Sequence, residues 1–204
     1  MNMNNVFSTY ITNIDKSYST GESTEHSFRG HFCILCESIL NDSANTKTSL
    51  SETYQILNEP KRKEYGAPDY AVMKGDTTIA FIEAKNIGDT DLRGENDKKH
   101  KEQFDKYKKA ISTIAFTDYM TIILYENGEE KMSATIAKIV DGHIVPSDDE
   151  LQLENFEKIL HKLAEATPQP IKSAKDLADK MARKAKLVAN IESGFSFHAQ
   201  PIGF

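Results

Sequence analysis

The chain has no apolar run close to the ~18 residues that a membrane-spanning helix requires. Residues 1–10 contain neither the basic cluster nor the apolar segment of a secretory signal. Hydrophobic residues make up 39% and charged residues 27% of the 204 positions, which is typical of a globular protein with a sizeable core. The sequence therefore predicts a cytoplasmic protein without a membrane partner.

Cysteine is scarce, since Cys33 and Cys36 are the only two in the chain. A Cys-x-x-Cys pair can be half of a zinc site, but no second pair completes four ligands. Both cysteines also fall within an apolar pattern of helical spacing. We therefore interpret them as small hydrophobic core residues rather than as ligands or a redox pair.

The sequence lacks the motifs of several common catalytic and binding sites. There is no glycine-rich phosphate loop, no Ser-His-Asp signature, no methyltransferase motif and no internal repeat, and the six histidines lack metal-ligand spacing. The net charge of −6 argues mildly against nonspecific coating of DNA. A cleft can nevertheless focus a field of the opposite sign, so the local arrangement of charges matters more than their sum.

What is present is a hairpin pattern between Gly66 and Lys85. Turn residues at 66–68 and 74–76 bracket two apolar runs, Tyr70–Met73 and Thr78–Ile82. Asp69 lies at the start of the first run. The pattern predicts a β-hairpin around which the remaining elements are arranged.

The second strand of this hairpin ends in charge. Side chains alternate along a strand, so Glu83 and Lys85 share one face with Phe81. Pairing of the two strands brings Asp69 towards them. Two carboxylates can hold a hard divalent cation such as Mg²⁺, and a lysine can orient an attacking water. The alternative is an ordinary surface salt bridge.

Upstream, a helix is predicted to begin near Ser23 or Thr24, with an apolar stripe that starts at Phe28. Glu25 lies at the edge of this stripe and is the candidate acid that the helix directs towards Asp69, with Glu22 as the alternate. The alternative is that both acids simply favour the helix N-terminus electrostatically.

Downstream, residues 97–111 predict a charged helix on which Gln103 and Tyr107 share a face. Packed on the sheet, this face would place an amide and a phenol near Lys85; otherwise the helix carries one amphipathic tyrosine and a solvent-facing glutamine. Its first turns are rich in lysine, which favours either DNA phosphate contact or a solvated face. The lysines in question are Lys98, Lys99 and Lys101.

The order of elements predicts an α/β fold with a mixed central sheet flanked by helices. Besides the hairpin, strands are predicted over Glu52–Leu57, Thr117–Tyr125, Lys131–Val140 and His143–Val145. A boundary at 148/149 separates residues 1–148 from a helical connector, 149–204, with helices at Leu151–Ala166 and Ser173–Glu192. The second of these has an apolar seam that includes Leu177, Met181 and Val188, so we expect the chain to join a larger enzyme or a partner.

The motifs occur in a familiar order. Gly-x-Pro-Asp at 66–69 followed by Glu-Ala-Lys at 83–85 resembles the signature of the PD-(D/E)XK nuclease superfamily. Gln103 and Tyr107 resemble the Gln-x-x-x-Tyr motif of its RecB-like branch, and Glu25 resembles its first-helix acid. Together with 58–61 and 117–119, the pattern over roughly 23–130 is most similar to the N-terminal nuclease domain of single-chain restriction–modification enzymes.

This resemblance implies a restriction-endonuclease-like core that cuts double-stranded DNA with Mg²⁺, or with Mn²⁺ as a substitute. Asp69, Glu83 and the carbonyl of Ala84 would bind the metal, and Lys85 would position the water. Glu25 would complete the acidic cluster, supported by Gln103 and Tyr107. A methyltransferase or specificity module is the expected partner, and two copies would meet on DNA for a double-strand cut. Two alternatives remain open: a catalytically inactive binding module and a repair nuclease.

Overall fold

A computed structural model describes residues 3–42, 53–63 and 65–168, together with positions 177, 178, 181, 182, 185, 188 and 189. The chain divides into two compact units, Met1–Gln169 and Pro170–Phe204. In the second unit the described positions are helical, and the side chains of Leu177, Met181 and Val188 are exposed. The rest of the predicted helix Ser173–Glu192 lies outside the described residues.

The first unit contains four helices and eight strands among its described residues. In chain order they are α1 (Met3–Tyr18), α2 (Glu25–Asn41), β1 (Tyr54–Asn58), β2 (Tyr70–Lys74), β3 (Thr77–Ala84), α3 (Lys98–Ala110), β4 (Thr113–Thr117), β5 (Thr121–Glu126), β6 (Glu129–Thr135), β7 (Ala137–Val140), β8 (His143–Pro146) and α4 (Glu150–Ala164).

Strands β1 to β6 form one sheet in the order of the chain. All neighbours are antiparallel except β3 and β4, which are parallel and are joined through α3. Parallel strands need such a crossover, whereas antiparallel strands can be joined by tight turns. The predicted fold class, an α/β fold with a mixed central sheet flanked by helices, is confirmed and is consistent with a restriction-endonuclease-like fold.

The sheet has a hydrophobic core on each face. Helices α1, α2 and α4 cover one face, where Phe32 and Phe156 pack against strand residues such as Ile82. Helix α3 covers the other, where Phe104 packs against residues such as Phe81. Because β3 is covered on both faces, its carboxyl end delivers charged residues to the edge of a buried layer.

One predicted strand is wrong in its extent. Residues Thr117–Tyr125 are not a single strand, because β4 ends at Thr117 and β5 begins at Thr121. Between them Tyr119 has a φ of 72°, and Asp118 accepts hydrogen bonds from the N–H groups of Met120 and Thr121. An aspartate that caps the backbone of the following residues makes a tight turn without glycine.

The predicted strand Lys131–Val140 is also interrupted. Residues up to Thr135 belong to β6 in the main sheet, whereas β7 pairs with β8 in a separate hairpin. The break falls at Ile136, whose N–H donates to the carbonyl of Met120 and whose carbonyl accepts from Ser147. The chain thus changes partners at Ile136, which the β-branched pattern does not reveal.

Helix α4 begins within the predicted connector and packs into the core of the first unit, with Phe156, Ile159 and Leu163 buried. The first unit therefore includes this helix, which the sequence analysis placed after the boundary at 148/149. Within the described part of the chain, no helix combines the length and apolarity needed to cross a bilayer.

Candidate active site

The hairpin of β2 and β3 places the first pair of candidate residues. Tyr70 pairs with Ile82, so Asp69, just before β2, lies beside the end of β3. Its Oδ2 accepts a hydrogen bond of 2.9 Å from the backbone N–H of Ala84. This bond ties the aspartate to the residue between Glu83 and Lys85.

On the α3 side, Glu83 and Lys85 form a small hydrogen-bonded network with two helix residues. Lys85 Nζ lies 2.9 Å from Glu83 Oε1 and donates to Gln103 Oε1 at 3.1 Å. The amide of Gln103 donates to the same Glu83 oxygen at 2.6 Å and to the Tyr107 hydroxyl at 3.4 Å. The glutamine therefore orients both charged groups, which is the supporting position predicted for it.

On the α2 side, the site is built around an arginine that the sequence analysis did not select. Nη2 of Arg29 lies 2.6 Å from Asp69 Oδ1 and 2.8 Å from Glu25 Oε1, and its Nη1 donates to Glu59 Oε1 at 2.8 Å. The Arg29 side chain is only 8% exposed. Glu25 therefore reaches the cluster, but it does so through Arg29.

The backbone around these networks is fixed by buried tyrosines. The ring and the hydroxyl of Tyr107 pack directly against Gly66 in the loop before Asp69. The Tyr119 hydroxyl donates to the carbonyl of Glu25 at 3.0 Å. It also lies 3.2 Å from the hydroxyl of Tyr70. One tyrosine thus anchors the loop before Asp69, and the other anchors the start of α2.

The turn that presents Glu59 has a strained backbone. Glu59 adopts a φ of 51°, which costs a non-glycine residue about 1–3 kcal/mol and persists only where surrounding contacts enforce it. Its N–H donates to the carbonyl of Asp69 at 2.8 Å, while its side chain binds Arg29. Both contacts help to fix Asp69.

Burial and crowding favour the protonated carboxyl groups. Burial is the main cause that raises the pKa of Glu83 to about 7, and the charge of Asp69 raises it further, while Lys85 acts in the opposite direction. Burial also raises the pKa of Asp69, partly offset by the hydrogen bond from Ala84 and the charge of Arg29. The charges of Arg29 and Lys85 therefore do not fully offset the cost of burying the two carboxylates side by side, which leaves a deficit of positive charge at the site.

A divalent cation fits this deficit. Glu83 Oε2 is a buried oxygen with no hydrogen-bond partner among the described residues. Hard oxygen donors suit Mg²⁺, which binds through one or two carboxylates and keeps several waters. No set of three or more His, Cys, Asp or Glu side chains within the described ranges is arranged to hold a metal, so a cation here would have at most the two carboxylates of Asp69 and Glu83 as side-chain ligands.

The other predicted residues have mixed outcomes. Lys98, Lys99 and Lys101 are exposed on the first turn of α3, and none of the three bonds to a described residue of either network. Glu22 lies exposed in the loop before α2, so Glu25 is the helix acid at the cluster. The sequence does contain one signal for Arg29. Arg29 lies four residues after Glu25, which is the spacing of an ion pair on one helix face.

Cys36 is fully buried and Cys33 is half-buried, and both are free thiols. Burial raises the pKa of each thiol, that of Cys33 to about 11. An un-ionised thiol is a poor nucleophile and a poor metal ligand. The interpretation of Cys36 as a core residue is confirmed.

No family model and no curated protein matches the sequence. Among solved structures, seven chains match. One of them, described as a cryo-EM structure of a DrdV–DNA complex, has a TM-score of 0.55 and 17% sequence identity, and the match covers 80% of this chain and 99% of the other. At this identity the likeness concerns the fold.

Proposed function

We propose that the chain is a metal-dependent DNA endonuclease module that hydrolyses phosphodiester bonds as the cleavage part of a restriction–modification system. The observation that carries the proposal is the meeting of Asp69, Glu83 and Lys85 at one end of the central hairpin, with a buried Glu83 oxygen left unpartnered. Buried carboxylates without full compensation are costly to folding, and a bound cation would offset that cost.

Asp69, Glu83 and the carbonyl of Ala84 would hold one Mg²⁺, with Mn²⁺ as a substitute. When bound, such a cation acidifies a coordinated water and offsets the charge of the phosphate. Lys85 keeps its ammonium group between Glu83 and Gln103, where it would orient the attacking water and offset developing negative charge. Gln103 fixes the positions of the Lys85 and Glu83 side chains by hydrogen-bonding to both. Tyr107 in turn fixes Gln103 and the loop before Asp69.

The proposed substrate is double-stranded DNA. The structural neighbour with the same fold was solved as a complex with DNA, which supports this choice over other phosphodiesters. The exposed lysines Lys98, Lys99 and Lys101 are the candidate phosphate contacts, because backbone phosphates are bound mainly by Lys and Arg.

The described residues contain one candidate site, so a double-strand cut would require two copies to meet on DNA. A methyltransferase or specificity module is the proposed partner, in the same or another chain. The exposed apolar residues Leu177, Met181 and Val188 support a partner of this kind, because exposed apolar patches commonly mark protein contacts.

The test is Mg²⁺-dependent cleavage of plasmid and linear duplex DNA by the 204-residue chain and its variants. Asp69→Asn, Glu83→Gln and Lys85→Ala are each expected to abolish cleavage while keeping a cooperative unfolding transition. Asp76→Asn is the matched control, because Asp76 is exposed in the turn of the same hairpin. Cleavage that persists unchanged in all three site variants would refute the proposal.

A further inference from the structure

The charges at the site do not balance without a cation. Four carboxylates and two basic groups belong to the two networks described above: Glu25, Glu59, Asp69, Glu83, Arg29 and Lys85. With all six ionised, the sum is −4 + 2 = −2. One divalent cation neutralises this sum, whereas a second would add two more positive charges beside Arg29 and Lys85.

The place that a second cation would need is already taken. In two-metal sites the ions lie about 3.5–4 Å apart, so a second ion would have to lie directly beside the carboxylates that hold the first. Asp69 is the carboxylate that lies between Glu83 and Glu25, and its Oδ1 is bound by Arg29 Nη2, which also holds Glu25 Oε1. The guanidinium thus bridges the two acids that a second metal would bridge.

Arg29 is also held in place by its surroundings, which oppose displacement of its guanidinium from Asp69 by a second cation. Its side chain is nearly buried, its Nη1 is held by Glu59 and its Nε is buried without a partner. Moving the guanidinium away from Asp69 would break an ion pair of 2.6 Å between two largely buried groups, and removing one partner of such a pair is strongly unfavourable. The neighbouring carboxylates would lose their counter-charge at the same time.

From this geometry we infer that Arg29 is a built-in counter-ion that takes the place of a second metal, so that the site binds one divalent cation per chain. The inference rests on the proposed metal-dependent function and deepens it. Glu25 then acts as a positioning residue that holds Arg29 against Asp69, rather than as a metal ligand. Catalysis at this site would use one metal together with Arg29 and Lys85.

The experiment is a titration of the metal-free full-length chain with Mn²⁺, followed by calorimetry and by electron paramagnetic resonance of the free ion. The wild type is expected to bind one Mn²⁺, and Asp69→Asn none. Arg29→Met removes the positive charge and is expected to bind two. Arg29→Lys keeps one positive charge at the same place and is expected to bind one.

The outcomes separate the inference from the proposed function. No Mn²⁺ in the wild type overturns both. Two Mn²⁺ in the wild type overturn the inference and leave the proposed function standing, and so does a folded Arg29→Met chain that still binds one. If Arg29→Met does not fold, a crystal of the wild type with Mn²⁺ decides by anomalous scattering. One peak at Asp69 and Glu83 with Arg29 still on Glu25 supports the inference, and a peak at Glu25 refutes it.

Discussion

Gly66 lies directly against the ring of Tyr107. A Cβ atom on Gly66 would come within 2.9 Å of the ring Cε1 and 3.0 Å of the hydroxyl, and the glycine has a φ of 122°. Only glycine adopts this backbone conformation without strain. Through this contact, the loop before Asp69 packs against α3, the helix that carries Gln103.

We therefore expect Gly66→Ala to lower the free energy of unfolding by about 2–4 kcal/mol, because it adds both backbone strain and a clash. Equilibrium urea unfolding followed by circular dichroism measures the change. Gly142→Ala is the matched control, since Gly142 also has a positive φ of 80° but nothing lies within 4 Å of the added Cβ. Its cost should be confined to about 1–2 kcal/mol of backbone strain. Equal losses in the two variants would show that the Tyr107 contact is unimportant.

Stability of the metal-free protein should depend on the pH through Glu83. The pKa of this group is about 7 in the folded chain, against 4.5 for the free side chain. Between these values the folded chain binds more protons than the unfolded chain, so the free energy of unfolding falls as the pH rises and levels off above about 7. The expected fall over this shift is on the order of 3 kcal/mol.

The measurement is a series of urea unfolding curves in EDTA from pH 5 to pH 8 on the wild type and on Glu83→Gln. Groups outside the site titrate alike in the two chains, so the difference between the curves isolates Glu83 and the neighbours, such as Asp69, that its charge affects. The variant should lack the fall, and its stability relative to the wild type should increase with pH. A difference that stays constant across this range would mean that Glu83 is ionised throughout and that the proposed deficit of positive charge is absent.

The hairpin and its charged end were predictable because the physics there is local. Alternation along β3 places Glu83 and Lys85 on one face, and a spacing of four places Gln103 and Tyr107 together on α3. The contacts Lys85–Gln103 and Gln103–Glu83 join residues far apart in sequence. Both were nevertheless predictable, because the β3 residues and the α3 residues each follow a local pattern.

The parts that were missed depend on three-dimensional partners. Arg29 comes directly after Phe28, the first residue of the apolar stripe of α2. Its burial is favourable only because Asp69 and Glu59, which are distant in sequence, form ion pairs with it in the fold. The turn at Asp118 was hidden within a β-branched run, because Tyr119 adopts a positive φ where glycine or asparagine is usual. Tertiary hydrogen bonds to the Tyr119 hydroxyl and carbonyl stabilise that conformation.

Tyr119 should therefore control the placement of α2 at the site. Tyr119→Phe removes a buried hydroxyl that donates to the carbonyl of Glu25, and its expected cost is about 1–2 kcal/mol in the free energy of unfolding. Because that carbonyl belongs to the first turn of α2, amide hydrogen exchange over 25–29 should also become faster. Tyr18→Phe is the control, since its hydroxyl takes no part in this network. Unchanged exchange in Tyr119→Phe would argue that the rest of α2 alone fixes Glu25 and Arg29.

The lysines at the start of α3 provide a test of DNA binding that does not depend on cleavage. Each lysine that neutralises a phosphate releases counter-ions and adds about 0.9 to the slope of log affinity against log salt. Replacing Lys98, Lys99 and Lys101 together with Gln should therefore weaken binding to a labelled duplex in EDTA and reduce the slope by about 2–3. Lys16, Lys138 and Lys162 are also exposed, and replacing them removes the same net charge from other elements of the chain. If both triple variants lose affinity and slope equally, the effect comes from overall charge and not from a contact surface on α3. If only the first triple does, α3 lies along the phosphate backbone, and the helix that holds Gln103 against Glu83 also positions the duplex.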